Sequence, residues 1–266
     1  MESRNPILRR DAQAAKSNPS SGPVQAPAGV SPDQLQEMYN RPPLTGNVVT
    51  IDDVVVKTSI LFGILLVGAV LGWNTAESIP FLWIGAAIIG MILGIVNAVK
   101  RNVSVALIIA YAAVQGVFLG GISRWYDLSY TEPIVQQAVF GTFVAFAVML
   151  VLYRTGIIKV NSRFAKIMTV ALISYGVIAV ISLISALFGV GSGWGFYGVG
   201  PLGLILCLVG VGLASLTLAL DFEAITQSIQ RGLPENESWR LGFALMVTLI
   251  WLYLEILRFL AILNSR

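Results

Sequence analysis

From Val54 onward the chain alternates long apolar runs with short polar breaks, and the runs are far longer than the strands of globular sheets. A helix needs about 20 apolar residues to cross about 30 Å of hydrocarbon, and seven runs meet that length. They fall at 54–72, 79–99, 103–122, 133–153, 164–188, 200–219 and 239–263, the sixth extending some way beyond Asp221. The stretch 167–220 contains no charged residue and is too long for one helix. The glycine-rich segment from Gly189 to Pro201 divides it in two, since glycine and proline punctuate helices. The pattern predicts an all-α, polytopic membrane protein.

Composition supports that reading and removes alternatives. Of 266 residues 56% are apolar and only 12% charged, with a mean hydropathy of +0.79, which leaves too little charge to cover a water-soluble domain. Histidine is absent and Cys207 is the single cysteine. Ser-His and Cys-His catalysis, histidine-ligated zinc and an internal disulfide are therefore excluded, and no enzyme activity or cofactor is expected. The 17 basic and 14 acidic residues leave a net charge of +3, too small an excess to argue for nucleic acid. Gly198-Val-Gly200-Pro-Leu-Gly203 matches G-x-G-x-x-G, but it sits between membrane spans rather than in a βαβ unit. Gly191-Ser192-Gly193 offers a serine without a base to activate it.

Residues 1–50 are rich in Pro, Ser, Ala, Gln and Asn, and read as a disordered tail preceding a transmembrane domain over 51–266. Ser31-Pro32-Asp33-Gln34 resembles a helix start, which predicts a short helix at 32–40. The first eighteen residues carry Arg4, Arg9, Arg10 and Lys16 instead of an apolar run, so insertion is expected to use the first span rather than a signal peptide. Basic residues alternate between connections. One set holds Lys57, Lys100, Arg101, Arg154, Lys159, Arg163, Lys166, Arg231 and Arg240, and the other has Arg124 and the terminal Arg266. By the positive-inside rule this places the N-terminus in the cytoplasm and, after seven crossings, the C-terminus outside.

Gly68/Gly72, Gly90/Gly94 and Gly116/Gly120 form Gly-x-x-x-Gly pairs on three consecutive helices, the usual device for close helix packing in lipid. Trp73, Trp83, Trp125, Trp194 and Trp239 lie near span ends, where amphipathic rings settle. Cys207 reads as a small buried residue, and Glu235 and Glu237 as supports for the start of the seventh helix.

The informative residues are ionisable groups within spans, because a charge at the bilayer centre costs about 2.5–3.5 kcal/mol even on lenient insertion scales. Asp221 and Glu223 lie near the end of the sixth span, while Glu255 and Arg258 interrupt the seventh. Two positions along a helix turn about 200°, so Asp221 and Glu223 face different ways, and Asp221 is expected to face the interior. Glu255 and Arg258, at i and i+3, are placed to neutralise each other. A carboxylate held among poorly hydrated helices is a group whose charge a proton can control, and with no histidine it is the natural pH sensor.

Taken in order, Ala110-Tyr-Ala-Ala-Val-Gln-Gly-Val-Phe-Leu-Gly-Gly-Ile-Ser123, Leu220-Asp221 and Leu252-Tyr-Leu-Glu-Ile-Leu-Arg258 resemble the Bax inhibitor-1 family, in its bacterial branch, over about 52–263. The resemblance implies six helices around a central seventh, with acidic residues on the sixth and seventh forming a pH-sensitive latch. Asp221 matches the sixth-helix acidic position. On the seventh, one register aligns Glu255 with the family's acidic residue and the other places Thr248 there. Gln115 stands where many relatives have glutamate. The resemblance further implies a calcium leak or, in one branch, modulation of a membrane protease.

The leading expectation is a pH-gated cation leak in a bacterial inner membrane, carrying calcium, with Asp221, Glu255, Arg258, Thr248 and Gln115 as candidate sensor and path residues. Arg258, or Lys100 and Arg101, would hold the closed form by pairing with carboxylate. No metal-ligand set is expected, because too few hard oxygen donors gather for tight calcium binding. The competing expectation is a membrane interaction protein that docks a protease or quality-control complex through its tail.

Overall fold

The computed structural model describes residues 47–79, 81–189 and 201–264. The expected tail and its helix at 32–40, and most of the glycine-rich segment, lie outside the described residues. Among the described residues there are seven helices long and apolar enough to cross a membrane. They are α1 Ile51–Thr75, α2 Leu82–Val99, α3 Val105–Ser129, α4 Ile134–Arg154, α5 Ser162–Leu187, α6 Pro201–Gln230 and α7 Glu237–Asn264. No strand occurs among the described residues, only an isolated antiparallel bridge between Val48 and Pro234.

Local chemistry sets several ends. Thr50 starts α1 with a capping box: its hydroxyl accepts from the Asp53 amide at 3.2 Å, and the Asp53 carboxylate accepts from the Thr50 amide at 3.1 Å. The Asn161 side chain accepts from the Phe164 amide at 2.8 Å and caps α5. Gly232, with φ of 61°, takes the left-handed conformation that closes α6 and turns the chain toward α7. The third helix runs past the expected limit of 122 to Ser129. Hydropathy falls at Arg124 and Asp127, but Arg124 pairs with Glu77 at 2.6 Å and Asp127 at 2.9 Å, so the charges are compensated and the helix continues through them.

The most extensive packing joins α1 to α3, and α2 covers another side of α3. α7 packs against α1, α3, α4 and α6. Its residues enter all three apolar clusters: Leu241, Leu245 and Leu252 with α4 and α6, Phe243, Met246 and Ile250 with α1 and α3, and Leu257 and Ala261 with Ile134 and Ala138. Of its most apolar stretch 56% is buried, against 11% for α2, so the seventh helix is central. α2 and α5 stand at the periphery. The backbone of α5 packs on α6 alone among the described helices.

Glycines explain how close α1 and α3 come. A Cβ on Gly72 would fall on the Val117 carbonyl, one on Gly116 on the Leu65 carbonyl, and one on Gly120 on the Ala69 carbonyl. Between apolar helices in lipid there is little hydrophobic drive, and such backbone contact supplies the dispersion that replaces it. The α2 pair works differently, with Gly90 and Gly94 seating the side chains of Gln115 and Tyr111.

Candidate functional site

The turn between α6 and α7 makes them an antiparallel hairpin, which decides which of their polar residues meet. At 1.5 Å per residue Asp221 lies about 14 Å before the end of α6 and Thr248 about 17 Å after the start of α7, so the two are level. They touch: the Thr248 hydroxyl donates to the Asp221 carboxylate at 2.6 Å. Thr248 is buried and Asp221 partly so, and no Lys or Arg forms an ion pair with Asp221 among the described residues. Of the two open registers, the geometry brings Thr248 rather than Glu255 to the sixth-helix carboxylate.

Glu255 lies about 10 Å farther along α7 and builds a second polar centre. Its Oε1 accepts from the Tyr175 hydroxyl of α5 at 2.6 Å and from the Trp251 indole at 3.1 Å. Its Oε2 is buried without a hydrogen-bond partner among the described residues. Space comes from Gly210, where a Cβ would meet the Glu255 carboxyl carbon at 2.7 Å and collide with the Tyr175 hydroxyl. Buried Cys207 stands beside the same carboxyl group. Arg258, three positions on, acts on Glu255 through its charge, while Tyr175 and Trp251 donate the hydrogen bonds to Oε1.

Glu223 takes a different direction from Asp221, as the helical angle requires. Its carboxylate accepts from the Tyr153 hydroxyl of α4 at 2.8 Å and from Gln227 at 2.8 Å. Gln115 joins neither centre. It sits between α3 and α2, its Oε1 buried without a partner among the described residues, and α2 packs against neither α6 nor α7. Among the described residues no group of three or more Asp, Glu, His or Cys is placed to hold a metal ion.

A polar clasp closes the end of the bundle that carries most of the basic residues. The Val49 amide donates to the Leu233 carbonyl at 2.9 Å, and the Glu235 amide to the Asn47 carbonyl at 2.8 Å. Lys57 bridges to Glu235 at 2.8 Å and donates to Ser238 at 2.8 Å. The hydrogen bonds from Lys57 and Asn47 hold the Glu235 carboxyl below its ordinary value of 4.5. Lys100 and Arg101 enter through their carbonyls, which accept from Arg240, and neither pairs with a carboxylate among the described residues.

Tyr175 and Trp251 are site residues that charge counting alone overlooks. A signal existed for the first: Met168, Tyr175 and Ser182 recur every seventh residue in a run without charges, and together they form the buried stripe of α5.

Seven apolar helices, the seventh of them central, with acidic side chains hydrogen-bonded across helix seams, define a multi-pass α-helical membrane protein of the bundle type. The chain belongs to the Bax inhibitor 1 like family, whose family model matches residues 5–265. Comparison with curated proteins finds no match.

Proposed function

We propose that this protein is a pH-gated leak pathway for cations, calcium foremost, without enzymatic activity, in which the Asp221–Thr248 contact is the gate. One observation carries the reading: a carboxylate inside a span is held across the α6–α7 seam by a neutral donor, with no cation paired to it among the described residues. A threonine hydroxyl donates to a carboxylate and can equally accept from a carboxylic acid, so a proton changes the charge of the seam while keeping a hydrogen bond in place. The ionised form offers an oxygen ligand to a passing cation. Two side-chain donors at this level are too few for a calcium cage, which favours passage over tight binding. Glu255, with its free oxygen, is a second station along the same helix.

The basic end is read as cytoplasmic, with the N-terminus inside, the C-terminus outside, and a bacterial inner membrane as the location. The test is calcium flux into liposomes holding the purified protein, across pH about 5 to 8, a range that brackets titration of buried carboxylates. Wild type is expected to show pH-dependent flux, and Asp221→Asn a flux that no longer follows pH. Flux identical in wild type, Asp221→Asn and Thr248→Val at every pH overturns the proposal.

A second reading is favoured by the clasp, which ties the residues just after the tail to the α6–α7 turn. In it, a membrane protease or quality-control complex that engages the tail acts on the same hairpin. It predicts that such a protease co-purifies with the full chain and is lost when residues 1–46 are removed.

A further inference from the structure

The geometry points to a binding site for an anionic phospholipid at the connection between α4 and α5. These consecutive helices are joined by a short turn, yet their backbones do not pack against each other among the described residues, and each lies on α6 instead. Two helices that rest on a third without close backbone approach leave a groove facing the bilayer, which suits acyl chains because no water is present at that depth.

The basic end of this groove carries Arg154, Lys159, Arg163 and Lys166, all exposed. No acidic residue occurs from Pro133 to Leu220. None of the four makes an ion pair among the described residues, whereas Lys57 and Arg240 at the same end are paired with Glu235 and Glu237. Four exposed cations, unpaired among the described residues and beside a hydrocarbon groove, match a phosphate headgroup carrying acyl chains.

The cations are held on an ordered scaffold. Gly156, with φ of 73°, ends α4, and the Ile158 amide returns to the Leu152 carbonyl at 3.1 Å. Ile158 and Val160 then tuck against the apolar cluster of α4, α6 and α7, while Ile157 and Lys159 between and before them point outward. On α5, Arg163, Lys166, Val170, Ile173 and Val177 share the exposed face, opposite buried Met168 and Tyr175. Charge at the end of the face and aliphatic side chains along it follow the layout of a phospholipid. The positive-inside bias accounts for the sign of these residues, but it requires neither an ordered turn nor an adjoining groove.

The test reconstitutes the full chain in vesicles of phosphatidylglycerol and phosphatidylcholine, extracts it in mild detergent and counts retained lipids by native mass spectrometry. Wild type is expected to retain phosphatidylglycerol selectively. Each cation near an anionic headgroup strengthens attraction about fivefold, so Arg163→Gln with Lys166→Gln should lower retention on the order of twentyfold at low salt. Lys100→Gln with Arg101→Gln, which removes exposed cations from another connection at the same end, should leave it unchanged. Lys159→Gln alone should give about a fivefold loss, which keeps the test independent of whether the double variant folds. Equal retention in wild type and the α5 variants, equal loss in the control variant, or displacement of the lipid by millimolar inorganic phosphate would overturn the assignment.

Discussion

Along α1 and α3, glycines bring two backbones into direct contact, with no side-chain hydrogen bond joining them among the described residues. Along α6 and α7 the seam contains Asp221 with Thr248 and, farther along, Glu255 with Trp251 and the reaching Tyr175. Both seams lie in lipid, where apolar surface gains little by moving from hydrocarbon to protein, so each needs another source of cohesion. Dispersion across a glycine seam depends on shape alone and does not respond to protons. A seam held by carboxylates depends on charge and responds directly. The contrast sets a glycine-packed pair beside a polar hairpin, whose inner arm α7 also packs against the pair.

The largest expected effect tests the glycine-packed pair. Gly116→Ala places a methyl group on the Leu65 carbonyl, and overpacking of this kind costs about 1–3 kcal/mol, more where the obstacle is backbone. Gly63→Ala, on the partner helix α1 but facing open space, should change stability by no more than a few tenths of that cost. Thermal unfolding in detergent compares them, and equal losses would show that the glycine seam is not what joins α1 to α3.

The polar seam should respond less. Tyr175→Phe removes a donor to buried Glu255, and a hydrogen bond of this kind contributes about 0.5–1.5 kcal/mol net. Because α5 rests by its backbone on α6 alone, the loss should appear as faster hydrogen exchange in α5 with little change in α1 and α3. Uniform exchange across all helices would mean that Tyr175 does not hold α5 in place.

The smallest effect belongs to the clasp. The Glu235 carboxyl lies below its ordinary value when folded, so its contribution is present above pH 4.5 and fades as pH falls through the lower folded value. Protection of the Val49 amide should therefore decrease below about pH 4.5, and Glu235→Gln should flatten that profile. An unchanged profile in the variant would assign the pH response to another group.

Much of the bundle is legible in the residue order because the bilayer imposes it. Hydrocarbon thickness sets the length of an apolar run, and every backbone polar group at that depth must be satisfied within its own helix. Seven runs therefore become seven helices, and the helical angle already set Asp221 and Glu223 in different directions. Boundaries shifted where charges found partners, as at Arg124. Gln115 was legible as polar but not as a residue facing α2, because nothing in its own helix says which neighbour it meets.

What the sequence determined by itself is the class of protein, the number of crossings, the glycine contacts as a type, and the few ionisable residues that interrupt the spans. What the tertiary structure alone decided is their partners. Whether Asp221 meets Thr248 or Glu255 depends on the depth at which the α6–α7 turn sets the hairpin, and a shift of two turns along α7 exchanges one for the other. The Tyr175 hydroxyl reaches Glu255 across 80 positions of chain because α5 and α7 both pass Gly210, a juxtaposition that no local periodicity encodes. Helix formation in lipid is a local requirement of the backbone, whereas pairing across helices is set by packing contacts between segments distant in the chain.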